Sequence, residues 1–176
     1  VTRLCVLFGA GVAAVSLSAP VSITGLAVLD SNLYVSFSST SYVRVYNKLT
    51  LEPVRNISIP GLVSGSSLTA AAGCRYVYLR EVYMVYLIDT HCGYKISSYH
   101  SGCYTGVVNS ITVNSSCIVA AACSGGSVKY STPAGVVTVA SYVAIPLSLV
   151  IPFSSQAVLF CGTAVYMQNA TGNYPT

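Results

Sequence analysis

An all-β chain built from four-stranded antiparallel repeats is the fold class that the sequence predicts, on three observations. Short runs rich in Val, Ile, Tyr and Leu recur from residue 23 onward, the composition of half-buried strands. Gly, Ser, Asn, Asp and Pro stand between them as turn formers. The strand pattern repeats at an interval of about 40 residues. No later segment of a dozen residues keeps a helical apolar period with caps.

The elements follow in order. Residues 4–17 read as an N-terminal hairpin, with Leu4–Phe8 turning at Gly9-Ala10-Gly11 into Val12–Leu17. The same stretch, Arg3 before an apolar run that ends at Ser18-Ala19, also reads as the remnant of a signal segment. Thr24–Val28 and Leu33–Phe37 are a first and second strand, and Tyr42–Tyr46 is a third. A turn over Asn47–Leu51 leads to a fourth strand, Val54–Ile59, which exits at Pro60-Gly61. The cycle restarts at Leu68–Ala72, Tyr76–Leu79 and Val82–Asp89, with Gly93–Tyr99 as its fourth strand. It restarts again at Ile111–Val113 and Ile118–Ala122, and once more at Leu149–Ile151, Ala157–Phe160 and Ala164–Gln168.

The second-strand positions Tyr34, Val77, Ile118 and Val158 lie 43, 41 and 40 residues apart. That is the period of a four-stranded propeller blade, about 40–50 residues. The expectation is a single β-propeller-like domain over 1–176, with repeats near 22–62, 66–104, 106–142 and 145–174. It is either four-bladed or part of a larger ring. An open ring leaves edge strands exposed. The N-terminal hairpin is expected to pair with Ala157–Phe160 and Ala164–Gln168 and so remove those edges.

One family resemblance rests on particular residues. Gly25-Leu26-Ala27-Val28-Leu29-Asp30-Ser31-Asn32-Leu33-Tyr34-Val35 continues to Val43-Arg44-Val45-Tyr46-Asn47, then to Ile57-Ser58-Ile59-Pro60-Gly61-Leu62. Cys74-Arg75-Tyr76-Val77-Tyr78 follows, then Ser110-Ile111-Thr112-Val113-Asn114 and Gly126-Ser127-Val128-Lys129-Tyr130. These segments resemble blades of the NHL-like β-propellers of secreted or multidomain animal proteins. The resemblance spans about residues 22–174 and implies a propeller that binds through its loops. The chain departs from that pattern in lacking Trp, in its sparse charge and in Leu79-Arg80-Glu81, where an Asp is expected.

Composition narrows the function classes. Apolar residues make up 53% of the 176 residues and charged residues only 7%, against about 25% in an average soluble domain. Eight bases and four acids are spread along the chain, so no basic face exists to draw a phosphate backbone, and nucleic acid is excluded as a partner. Hydroxyls and glycines break every apolar run before the roughly 20 residues of a helical membrane span. Seven cysteines point to an oxidising compartment. Three glycosylation triplets, at Asn56, Asn114 and Asn169, point the same way, to a secreted chain.

Few groups carry chemistry. Gly9-Ala10-Gly11 with Asp30 resembles a dinucleotide fingerprint on paper, but Ser16–Pro20 leaves no room for the helix it requires. His91, Cys92, His100 and Cys103 are zinc-ligand types at a spacing that matches no familiar knuckle. No metal or cofactor is expected. Asp30, Glu52, Glu81 and Asp89 are the only acids and fall at scattered positions, which disfavours a hydrolase.

In a propeller, Cys74 opens a second strand and Cys92 lies just past the antiparallel third, so a Cys74–Cys92 disulfide is expected. Cys117 and Cys123 are separated by about 20 Å of extended strand and cannot pair with each other. A reduced chain with its cysteines as small buried hydrophobes is the alternative. Of the tyrosines, Tyr76, Tyr78, Tyr83 and Tyr86 are assigned to core and interblade packing. Tyr99, Tyr104, Tyr142 and Tyr174, near loops, are assigned as contact residues. The expected function is a non-enzymatic extracellular binding or assembly module that takes a protein or glycan ligand. A self-assembling extracellular structural subunit, whose partner is a copy of itself, is the first alternative, and a propeller-type hydrolase the second.

Overall fold

The computed structural model describes residues 21–63, 67–92, 94, 96–100, 107–113, 117 and 119–124, together with strand backbone at 4–8, 11–15, 127–132, 135–141, 148–153, 156–161 and 164–169. Every regular element among them is a strand. A hairpin, β1 (Leu4–Phe8) and β2 (Gly11–Val15), precedes three four-stranded meanders. The first is β3 (Ile23–Leu29), β4 (Asn32–Phe37), β5 (Tyr42–Asn47) and β6 (Pro53–Ser58). The second is β7 (Leu68–Thr69), β8 (Tyr76–Arg80), β9 (Met84–Asp89) and β10 (Ile96–His100). The third is β11 (Val108–Val113), β12 (Val119–Cys123), β13 (Ser127–Thr132) and β14 (Gly135–Ser141). A last sheet holds β15 (Ser148–Phe153), β16 (Gln156–Cys161) and β17 (Ala164–Asn169).

All pairings are antiparallel and join consecutive strands. The first strand of each sheet lies against the next sheet: β3 packs on β7, β7 on β11, and β11 on β15. Sheets stacked side by side through their first strands make the blades of a β-propeller-like fold.

The second strand of each blade explains the burial. In β4, Tyr34 and Ser36 face one way and Leu33, Val35 and Phe37 the other, and all five are buried. A strand covered on both faces must be apolar throughout rather than alternating. β8 behaves alike: Val77 and Leu79 join Tyr34, Val43, Val45 and Ile57 in one core between blades 1 and 2. Tyr78, on the opposite face of β8, joins Val85, Val113, Val119 and Ala121 in a second core between blades 2 and 3. The fourth strand β6 is mostly exposed, with only Ile57 turned inward.

Two expectations are corrected here. β7 is two residues long rather than five, because the chain leaves the ladder after Thr69 for the turn at Gly73. Gly73 then turns the chain with φ +81°, a left-handed conformation in which glycine has no Cβ to clash. The N-terminal hairpin is a two-stranded sheet of its own and does not extend the β15–β17 sheet. Its short turn closes at little entropic cost, whereas pairing with residues near 160 closes a loop of most of the chain.

Left-handed residues repeat with the blades. Asp30, Gly73 and Cys117 occupy the turn between first and second strands, and Leu51 and Tyr94 the turn between third and fourth. The spacing from Asp30 to Gly73, and from Leu51 to Tyr94, is one repeat of 43 residues.

Ile88 is fully buried in the core between blades 1 and 2. Ile88→Ala is expected to lower unfolding free energy by about 2–4 kcal/mol. Leu49→Ala, at an exposed turn residue, is expected to change it by less than about 0.5 kcal/mol. Urea denaturation followed by tyrosine fluorescence measures both.

Candidate functional site

Meander topology sorts the turns onto two rims. First-to-second and third-to-fourth turns fall on one, and second-to-third turns with the connections between blades fall on the other. We call them the disulfide rim and the connection rim.

The disulfide rim carries Cys74 in the β7–β8 turn and Cys117 before β12, joined in a disulfide with Cα atoms 5.5 Å apart. Cys92 is a free, exposed cysteine. The expected Cys74–Cys92 bridge is therefore replaced by one between blades 2 and 3. The reason is the repeat: Cys74 and Cys117 are 43 residues apart, so they hold nearly equivalent positions in adjacent blades, and equivalent turns stand side by side. Cys117 pairs elsewhere than with Cys123, as strand length required; Cys123 is disulfide-bonded as well.

Where a Cys74–Cys92 bridge was expected, charge holds the ladder end instead. Arg75 Nε donates to both Asp89 carboxylate oxygens at 2.9 Å, and Arg75 Nη2 donates to Asp89 Oδ2 and to Cys92 Sγ. Asp89 Oδ1 also accepts the amide N–H groups of His91 and Cys92, at 3.0 and 3.1 Å. Hydrogen bonds from Arg75 hold the Asp89 carboxyl well below the usual carboxylate range, against the opposing effect of burial. The same pair raises Arg75 above its ordinary value.

Arg80, at the end of β8, braces the same blade junction from within. Its Nη1 donates to the carbonyls of Val108 and Asn109, and Asn109 is the extra residue of a bulge in β11. Arg80 Nε is buried without a partner among the described residues, and burial lowers the guanidinium's pKa. In the junction of blades 1 and 2, the Tyr34 hydroxyl is likewise buried, with Asn32 and Tyr94 as its polar neighbours. Burial and the neighbouring Tyr94 push its ionisation up.

The connection rim is different in character. Val63, Val82, Tyr83 and Val107 are 82%, 48%, 52% and 37% exposed. Hydrogen bonds set their turns beside one another: Val63 N donates to the Glu81 side chain at Oε1, Val108 N to Val82 O, and Ser124 N to Val107 O. The acid among these turns is already engaged, since Glu81 Oε2 accepts the Tyr86 hydroxyl at 3.1 Å. The result is a band of exposed Val and Tyr crossing the junction of blades 2 and 3.

The sequence-assigned residues distribute as follows. Asn56 lies on β6, exposed, with its Oδ1 accepting Arg44 Nε at 2.9 Å. Asn169 ends β17, and Asn114 lies outside the described residues. Tyr99 is the penultimate residue of β10, paired with Val85. Tyr104, Tyr142 and Tyr174 lie outside the described residues. Tyr78 and Tyr86 are core residues and Tyr76 is half-buried, but Tyr83 is exposed because it sits in the β8–β9 turn.

His91 and Cys92 stand at one end of β9, and His100 pairs with Met84 at the other. Five strand residues, about 17 Å, separate those ends. Among the described residues no group of three His, Cys, Asp or Glu side chains is gathered to hold a metal ion. Glu81 is on the connection rim, whereas Asp30 and Asp89 are on the disulfide rim. Gly11 opens β2, a strand, so the glycine pattern there does not precede the helix a dinucleotide site requires. Among the described residues no helix is long and apolar enough to cross a membrane.

No protein-family model matches the chain, and no curated protein matches it in sequence. Solved structures do match in fold. A chain of the mitotic checkpoint complex aligns with TM-score 0.74 and 13% identity, over 93% of this chain and 55% of that one. A chain of Kuenenia stuttgartiensis hydrazine synthase aligns with TM-score 0.70 and 13% identity, over 91% and 50%. The computationally designed Ika4 protein aligns with TM-score 0.66 and 14% identity, over 88% of this chain and 95% of its own. The chain thus spans about half of two of these structures and nearly all of the third. The likeness is one of β-propeller-like fold.

Two outcomes follow from the disulfide rim. Cys74→Ser is expected to cost about 2–4 kcal/mol in urea denaturation under oxidising conditions, because the unfolded chain loses a cross-link. Asp89 is held below its ordinary value of 3.8, so the stability it contributes is whole above that value. It is lost as the pH falls through the lower, folded value. The stability gap between wild type and Asp89→Asn is therefore expected to narrow as the pH drops below about 4, read from denaturation midpoints across an acid series.

Proposed function

We propose that this chain is a non-enzymatic extracellular binding module that presents its connection rim to a protein or glycan ligand. The observation that carries the reading is the row of exposed Val63, Val82, Tyr83 and Val107 across one braced blade junction. Exposed apolar residues set in a row mark an interaction surface rather than a solvated face. Tyr83 offers a ring for packing and a hydroxyl for hydrogen bonding. With Glu81 engaged internally, recognition rests on shape and hydrogen bonding rather than on charge.

An extracellular setting is supported by the Cys74–Cys117 disulfide, which fits an oxidising environment, and by the exposed glycosylation triplet at Asn56. Membership of the NHL-like propellers is part of the same proposal and rests on the blade segments quoted above.

A second reading is self-assembly into an extracellular filament or matrix. It is favoured by Leu26 and Val28, exposed on β3, the first strand of the first complete blade. Light scattering across a concentration series separates the two readings. Concentration-dependent polymers favour assembly, and a monomer favours ligand binding.

The binding reading is tested by screening the purified chain on protein and glycan arrays. Val82→Asp and Tyr83→Ser are each expected to weaken retention of the captured ligand about tenfold or more, the effect of losing a central contact. Denaturation midpoints are expected to stay near wild type, since both side chains are half exposed. Undiminished retention by both variants sinks the connection rim as the binding face.

A further inference from the structure

Three cysteines lie at one end of the β8–β9 ladder. Tyr76 pairs with Asp89, and Thr90 donates its amide N–H to Arg75 O at 3.1 Å. Cys74 therefore stands one residue before the last joined pair, and Cys92 two residues after it. Arg75, the chain neighbour of Cys74, donates from Nη2 to Cys92 Sγ at 2.7 Å. Asp89 fixes the turn that carries Cys92 by accepting its amide N–H and that of His91. Cys92 is thus a free thiol at the ladder end that also carries Cys74, the blade-2 half of the Cys74–Cys117 disulfide. Cys74 is buried and Cys117 half-buried, so a thiol from solvent meets Cys117 first, whereas Cys92 belongs to the same blade as Cys74.

We propose that Cys92 exchanges with the Cys74–Cys117 disulfide, converting a bridge between two blades into a bridge within one. The Cys92 thiol gives its proton to solvent, and the thiolate attacks Cys74 Sγ. The Cys92–Cys74 bond forms as the Cys74–Cys117 bond breaks, and Cys117 leaves as a thiolate that takes up a proton. One disulfide and one thiol enter the step and one of each leaves it, so no oxidant or reductant is consumed. The exchange frees the turn before β12 from the β7–β8 turn and leaves Arg80 and the shared apolar core to hold blades 2 and 3 together. The connection rim crosses that same junction, so the two disulfide isomers present it on scaffolds of different rigidity. The proposal stands on the cysteine geometry and does not depend on what the rim binds.

The test is disulfide mapping of the full chain under native conditions. Wild type and Cys92→Ser are held in a glutathione redox buffer, quenched with acid, alkylated, digested and analysed by mass spectrometry. The expected result in wild type is a linked Cys74–Cys92 peptide together with newly alkylated Cys117, both lost in Cys92→Ser. Recovery of Cys74–Cys117 as the sole Cys74 linkage, with glutathione on Cys92 or Cys117, overturns the proposal. Cys117→Ser gives a second readout: an intramolecular Cys74–Cys92 bridge is expected in its monomer fraction under oxidising buffer. Two alkylatable thiols at Cys74 and Cys92 in that variant also overturn it.

Discussion

Everything in this structure depends on the packing of one sheet's face against the next. A blade whose second strand is apolar on both sides cannot stand in water alone. Val77 and Leu79 on one face of β8 need Tyr34, Val43 and Ile57 of blade 1, and Tyr78 on the other face needs Val113 and Val119 of blade 3. Fully burying one such side chain contributes about 1.5–3 kcal/mol. These two cores are the source from which the geometry of the turns and rims follows. Alternation along β8 sends consecutive residues into different interfaces, so one strand couples three blades.

Once the blades are stacked, equivalent turns become spatial neighbours, and the chemistry divides between the rims. The repeat carries Asp30, Gly73 and Cys117 in left-handed conformation at the same kind of turn, so it is a repeat of backbone as well as of strands. A non-glycine residue there costs about 1 kcal/mol or more, and at Cys117 the disulfide to Cys74 helps hold the turn. Charge is concentrated on the disulfide rim, where Arg75, Asp89 and Cys92 share one network. The connection rim instead exposes Val and Tyr and ties off its one acid. The two ends of one scaffold therefore suit different tasks, contact at one and covalent bracing at the other.

Arg80 shows what the stacking costs. Its guanidinium is drawn into the interface to satisfy two carbonyls at the β11 bulge, and its Nε is left buried without a partner among the described residues. Bulges interrupt ladders and leave carbonyls unserved. A long cationic side chain from the neighbouring blade reaches them where the strand's own sheet does not.

The sequence by itself determined the strands and their period. β4 was legible to within one residue, and β5, β8 and β9 to within two, because apolar runs and turn residues are local signals. It also excluded a Cys117–Cys123 bridge, since strand length alone forbids it. The short β7 and the separate N-terminal hairpin were decided by backbone entropy and turn geometry that composition only hints at. Tertiary structure alone decided which cysteine meets Cys74, because pairing across blades depends on how sheets stack rather than on neighbours within one sheet. It also decided that Tyr83 is exposed while Tyr86, three residues on, is buried. Both tyrosines read alike in a β-rich stretch. Only the position of the β8–β9 turn, on the rim where blades 2 and 3 meet, separates a contact residue from a core one.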